Sequence, residues 1–215
     1  MEFWSNIILS TITVVIAVYA LFQTKKQIEI SNKQHLFDQR VENFLIVKGL
    51  IVLYRGHAES FKYFLTSRPF HTIGSFFVWF TNNTYLEGIS NAISNPLGPL
   101  HKDFLKQMEN LNEVSYKAKL LFPAKLSEDL CYFVLSYKEF LQSMYKYKIS
   151  YNNMEEERDK LQSLGKILTE DDACNMIGEQ LHTDLIDCFN NLANAESRLL
   201  AKDLENRINK QINLF

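Results

Sequence analysis

The side chains that could coordinate a metal, attack a substrate or exchange a proton are few. They are five histidines (His35, His57, His71, His101, His182), three cysteines (Cys131, Cys174, Cys188) and the carboxylate runs Glu155-Glu156-Glu157 and Asp171-Asp172. A helical zinc site needs ligands about one turn apart, as in H-E-x-x-H, and no pair of these histidines has that spacing. Cys174 and Cys188 share a helix face, but their separation is about 21 Å at the helical rise, too far to hold one ion. They read as core thiols; a Cys-His pair assembled from distant segments is the alternative, without a local signature to support it. Consecutive carboxylates point around a helix and do not converge, so they read as a solvated acidic surface. The patterns GxxxxGK[ST], GxGxxG and GxSxG are absent, so phosphate-binding loops and serine elbows lack their signatures. These observations predict a chain with no catalytic residue, no cofactor and no metal.

One nuclease pattern bears checking. Helical ribonucleases of the HEPN type carry an Arg, four to six residues and a His. Arg55 and His57 are two apart and Arg68 and His71 three apart, so the motif is absent as written.

The elements that must carry the remaining function follow from composition. Seven Gly and four Pro among 215 residues, against 16 Phe and 10 Tyr, favour long helices with bulky cores over many short strands. The net charge of -2, from 23 Lys+Arg and 25 Asp+Glu, argues against a domain built to neutralise a nucleic-acid backbone. An odd number of cysteines without pair spacing fits a reducing compartment.

No charge occurs between Glu2 and Lys25, a run of 22 residues. A helix of that length rises about 33 Å, enough for a hydrocarbon core of about 30 Å. A cleaved secretory signal would need a basic start and a small-residue cleavage site, whereas this start is acidic and the end reads YALFQTKK. An uncleaved anchor is therefore expected. Lys25, Lys26, Lys33 and Arg40 follow the span and no Lys or Arg precedes it, which predicts the inner (plasma) membrane with the N-terminus outside and the bulk of the chain in the cytoplasm. Trp4 and Tyr19 are placed to sit at the headgroups. The expected division is 1–24, tail and transmembrane helix, and 25–215, a cytoplasmic α-helical domain.

The span is not uniformly apolar. Asn6, Ser10, Thr13, Ala17 and Ala20 are spaced four, three, four and three apart, so they share one helix face. Small and hydroxylated residues let helices approach closely, and a lipid-facing Asn would waste its hydrogen bonds. The face predicts packing between spans, or the lining of an oligomeric pore. Ser and Thr bonding to their own helix's carbonyls is the alternative.

Beyond the span, Ile30, Phe37, Phe44 and Ile51 repeat every seven residues, a sticky face suited to self-association of the neck. Lys26, Lys33 and Arg40 share that period, and Lys48, Arg55 and Lys62 continue it after a one-residue shift. Together with Lys25 they form a basic flank, solvated or in contact with anionic headgroups or a phosphate-bearing partner. Arg68-Pro69 should end this helix. SFFVWF is too short to span a bilayer and reads as core, with an exposed partner surface or a membrane-dipping element as alternatives. NPLGP at 95–99 is the clearest break.

Three helical stripes follow. The first runs from Leu100 through Phe104, Met108, Leu111, Val114 and Ala118 to Leu121, ending at Pro123. The second runs Leu126, Leu130, Phe133, Val134, Tyr137, Phe140, Leu141 and Met144, with a start expected at Ser127-Glu128-Asp129. The stretch NNMEEERDKLQSLGKIL extends that helix or forms a connection. The third has its start signal at Thr169-Glu170-Asp171-Asp172, continues through Cys174, Ile177, Leu181, Leu185, Cys188, Leu192, Ala195 and Leu199, and shifts phase to Leu200, Leu204, Ile208 and Ile212. The fold class is all-α: an N-terminal transmembrane helix continuing into a cytoplasmic helical bundle.

The opening, a short tail, one span and then QTKKQIEISNKQHLFDQRVENF with Leu36, Phe37 and Arg40 as Leu-Phe-x-x-Arg, resembles small bacterial single-pass membrane proteins over about the first fifty residues. Some of these accompany antiviral systems, and the layout is similar to a pore-forming accessory of RNA-targeting CRISPR systems. The resemblance implies an oligomeric membrane effector. The expected partners are membrane lipids and further copies of the chain. A membrane-tethered module that recruits a cytoplasmic protein through SFFVWF or the basic flank is the second expectation.

Overall fold

Where the sequence lacks helix breakers the chain runs in long helices. The computed structural model describes residues 2–67, 72–163 and 179–200. Helix α1 spans Glu2–Ser67, 66 residues. It passes through Gly49 and Gly56 and stops one residue before Arg68-Pro69, a dipeptide that lies outside the described residues. Then come α2 (Ile73–Thr81), a 3₁₀ helix (Glu87–Ile93), α3 (His101–Leu121), α4 (Ala124–Ser163) and α5 (Glu179–Leu200). Among the described residues no strand occurs, and the fold is all-α.

By packing, the chain divides into two compact units, Met1–Val41 and Glu42–Phe215. The boundary drawn from charge falls after Thr24. The first unit contains α1 up to Val41, and among its described side chains none is buried. The second is a helical bundle, and it holds the core.

That core is aromatic. Phe61 of α1 packs against Phe76 and Phe80 of α2, Phe140 of α4 and Phe189 of α5, with ring centroids 5.0 to 5.6 Å apart. The first three are edge-to-face at 82° to 88°, the geometry in which a ring's positive edge meets another's negative face. The expected stripes of α3 and α4 are buried from Phe104 to Leu121 and from Leu126 to Met144. SFFVWF lies in α2, where Phe76, Phe77 and Phe80 are buried and Trp79 is 43% exposed.

Polar groups inside the bundle fix its joints. Tyr137 is fully buried, and its hydroxyl donates to the Phe80 carbonyl at 2.6 Å near the end of α2. This satisfies a carbonyl that has no helical donor left. Asn83 Oδ1 accepts the Tyr85 and Leu86 amides at 3.1 and 2.8 Å, an Asx turn that leads into the 3₁₀ helix. At the NPLGP break Leu97 has φ 66° and donates its amide to Tyr145 Oη at 3.1 Å. A Cβ on Gly98 would lie 2.8 Å from the Asn95 carbonyl oxygen, so glycine is required there.

Two expectations at helix ends need correction. Helix α4 starts at Ala124, not at Ser127: the Pro123 carbonyl accepts the Leu126 and Ser127 amides, both at 2.9 Å. Ser127 lies within the helix and donates its hydroxyl back to the Ala124 carbonyl. Pro123 also explains the end of α3, since the residue before a proline is pushed to extended backbone and Phe122 has φ -113° and ψ 155°. The stretch from Asn152 onward extends α4 as far as Ser163, supported by Arg158 paired to Glu155 at 2.7 Å and Lys160 to Glu157 at 3.6 Å. In α5 the buried positions are Leu185, Phe189, Leu192, Ala195, Glu196 and Leu199. Cys188 is half-buried at the edge of that face. The start signal at Thr169 to Asp172, Cys174, Ile177 and the tail positions Leu204, Ile208 and Ile212 lie outside the described residues.

Candidate membrane span and its polar face

One helix among the described residues, α1, holds a segment long and apolar enough to cross a membrane, and none of that segment is buried within the chain. Ile8, Leu9, Val14, Val15, Ile16 and Leu21 are each more than half exposed. In water such a surface would be costly, at about 25 cal/mol per Å² of apolar area. Hydrocarbon removes that cost.

The helical backbone of this segment satisfies itself, as lipid would require, and so do its threonines. Thr13 Oγ1 donates to the Leu9 carbonyl at 2.9 Å, Thr11 to Ile7 at 2.8 Å and Thr24 to Ala20 at 2.9 Å. Of the expected polar face, Thr13 is therefore saturated by its own helix. Asn6 and Ser10, one turn apart, make no side-chain hydrogen bond among the described residues, and both are exposed. They line a shallow groove with Phe3, Ile7, Thr11 and Val14. Ala17 and Ala20 continue the face with side chains that leave room for a neighbour.

The neck residues separate. Ile30 is exposed, Phe37 and Phe44 are half-buried, and Ile51 lies in the bundle core at 5% exposure. The seven-residue repeat thus passes from open surface to interior along one helix. The basic flank separates likewise: Lys25, Lys26, Lys33 and Lys48 are exposed and Arg40 is half-buried. Arg55 donates its Nε to Glu196 Oε1 of α5 at 2.6 Å. Glu196 is 7% exposed, and the guanidinium compensates the cost of burying that carboxylate. His57 goes elsewhere, stacked on Trp79 at 5.4 Å and edge-on to Phe80 at 5.9 Å, so Arg55 and His57 do not face a common point.

A second concavity, about 260 Å³, lies between α4 and α5, lined by Glu139, Gln142, Ser143, Lys146, Leu181, Asp184, Asp187 and Cys188. Burial pushes the Cys188 thiol pKa up, the neighbouring carboxylates of Glu139, Asp184 and Asp187 add to this, and a hydrogen bond with Ser143 opposes it. The thiol is thus held in its unreactive form. Among the described residues no three His, Cys, Asp or Glu side chains gather as a metal ion would need. Sequence reading did not find this cleft or the buried Asn43, whose Nδ2 donates to the Val114 carbonyl at 3.0 Å. Asn43 lies on the same stripe as Val47 and Leu50, and a lone amide in such a stripe is the signal that could have marked it.

The geometry defines a class: an all-α chain with, among the described residues, one helix long and apolar enough to cross a bilayer, and a bundle with an aromatic core. No protein-family model matches the chain, and no curated protein or solved structure matches it.

Proposed function

We propose that the chain is a non-enzymatic single-pass membrane protein that self-associates through its span. The observation that carries this reading is the pair Asn6 and Ser10, exposed and without a side-chain hydrogen bond among the described residues, on a segment otherwise fit for lipid. An amide in hydrocarbon lowers its free energy by bonding another amide, and a second copy supplies one at the same depth. The exposed Lys25, Lys26 and Lys33 after the span support an inner (plasma) membrane location with the segment before the span outside and the bundle in the cytoplasm. The resemblance of the first fifty residues supports placing the assembly among bacterial antiviral membrane effectors, with the polar face turned inward as a pore.

The test is the mass of the full-length protein in mild detergent by light scattering, with the detergent contribution subtracted, followed by conductance across planar bilayers. A discrete oligomer that conducts is expected. A monomer would overturn the reading and leave the tethered binding module. That second reading has one favourable observation, the exposed Trp79 beside His57; the other large rings of SFFVWF lie in the core.

A further inference from the structure

Where the apolar run of α1 ends, neutral and cationic side chains part ways. Gln23 donates its Nε2 to Tyr19 Oη at 2.7 Å, and Thr24 donates its hydroxyl to the Ala20 carbonyl at 2.9 Å. Lys25 and Lys26 are exposed and make no ion pair or hydrogen bond among the described residues. Glu29 follows at the three- and four-residue spacing that brings helical neighbours together, yet it bridges to neither lysine. Each ammonium therefore offers three donors to whatever surrounds it. Helix α1 continues to Ser67, so no row of free terminal carbonyls lies beside the pair to offset its charge.

Depth names the surroundings. Phe22, 70% exposed, is the last residue of the apolar run. At the helical rise Lys25 and Lys26 lie about 4.5 and 6 Å further along the axis. The polar layer on each side of the hydrocarbon is about 5 to 7 Å thick, so a span that crosses the bilayer sets both lysines among the headgroups. Glu29 lies about 10 Å beyond Phe22 and Lys33 about 16 Å, on the water side of that layer. Over such distances the field of the lipid surface is screened, with a Debye length of about 8 Å. The basic flank thus reduces to one adjacent pair at membrane depth. A zwitterionic headgroup brings a cation with its phosphate, whereas an anionic one brings net negative charge, and two unneutralised ammoniums favour the second.

We propose that Lys25 and Lys26 bind the phosphate of anionic lipid headgroups. The proposal rests on α1 crossing the bilayer, as in the reading above, and is independent of self-association.

The experiment uses the full-length protein in phosphatidylcholine vesicles with a trace of chain-spin-labelled phosphatidylglycerol or phosphatidylcholine. Electron spin resonance reads the fraction of each label slowed by contact with the protein. A lysine near an anionic surface is worth a factor of about five, which diluted over all the lipids around the span gives an expected phosphatidylglycerol-to-phosphatidylcholine ratio of about two. Lys25→Gln with Lys26→Gln should bring the ratio to one and leave the slowed phosphatidylcholine unchanged, Lys25→Arg with Lys26→Arg should keep it, and Lys33→Gln should leave it almost unmoved. Both leaflets have the same composition, so the ratio does not depend on which way the chain inserts. Equal slowed fractions in the unaltered chain overturn the proposal, and so does a ratio that survives the double Gln replacement. Inorganic phosphate that lowers the ratio further than sodium chloride of equal ionic strength would make the pair a site for free phosphate and overturn the headgroup assignment. If neither label is slowed, the span is not in the bilayer and the membrane reading falls too. A monomer in detergent with a ratio of two would remove self-association and keep the lipid site.

Discussion

Side chains far apart in sequence settle the bundle's polar joints. Glu196 is buried and meets Arg55 across 141 residues of sequence. Removing the cation leaves a carboxylate with little access to water, so Arg55→Ala is expected to destabilise the bundle by roughly 1 to 2 kcal/mol. This is less than the ~3 to 5 kcal/mol of a fully enclosed pair, because the guanidinium is half exposed. Glu196→Gln keeps an acceptor and should cost less; urea unfolding of both variants in detergent checks the order. Alkaline pH probes the same neighbourhood. Tyr54 is raised from 10.0 to about 12 by burial first, then by the charges of Glu196 and Glu59, and Tyr85 is likewise raised to about 12 by burial and Glu113. A phenol whose folded pKa lies above its unfolded value contributes stability that is complete below pH 10 and lost as pH rises toward 12. The unfolding midpoint should fall across that window, and the Tyr54→Phe, Tyr85→Phe double variant should flatten the fall. The basic row containing Arg55 was legible in the sequence as a row of cations. Its pairing was not, because no local pattern links positions so far apart.

Periodicity carries the helices, and it is reliable where many turns repeat one spacing. Phe104 to Leu121 and Leu126 to Met144 are buried as their spacing requires. The errors sit at ends and at mixed stripes. Ser127 and two following acids looked like a start, but Pro123 four residues earlier already supplies the carbonyl that receives the first helical amides. In α5 the expected Leu185, Leu192, Ala195 and Leu199 are buried, and the same face also holds Phe189 and Glu196; a charged residue is invisible to a count of apolar positions. The break at 95–99 was legible from NPLGP, but its tie to α4 was not, since that comes from Tyr145 receiving the Leu97 amide. Gly98→Ala tests the close approach within the turn: the new methyl would start 2.8 Å from the Asn95 oxygen, and the loop must open. A loss of about 1 kcal/mol or more is expected, read as a lower thermal midpoint. An unchanged midpoint would mean that the loop yields at no cost.

For the whole molecule, the proposed self-association can be divided among the parts of the exposed span. The sequence made the span legible through an uncharged run with lysines on one side, and it marked one polar face. It could not divide that face, because whether a hydroxyl bonds its own helix is set by rotamer and backbone, not by spacing. The structure separates Thr13, whose hydroxyl is held by the Leu9 carbonyl at 2.9 Å, from Asn6 and Ser10. If association depends on groups seeking partners, Thr13→Val keeps the shape, removes only an internal bond and should leave the detergent mass unchanged. Asn6→Leu removes an interhelical donor and acceptor together. At about 0.6 to 2 kcal/mol per such contact, it should shift the oligomer's dissociation to roughly three- to thirty-fold higher protein-to-detergent ratio, and Asn6→Leu with Ser10→Leu further still. The measurement is mass against protein-to-detergent ratio for the three variants. If Thr13→Val weakens the oligomer as much as Asn6→Leu does, the face works by shape alone and the amide has no special part. If only the Asn6 variants weaken it, the contact lies at the N-terminal end of the span, where the groove between Phe3 and Val14 is open.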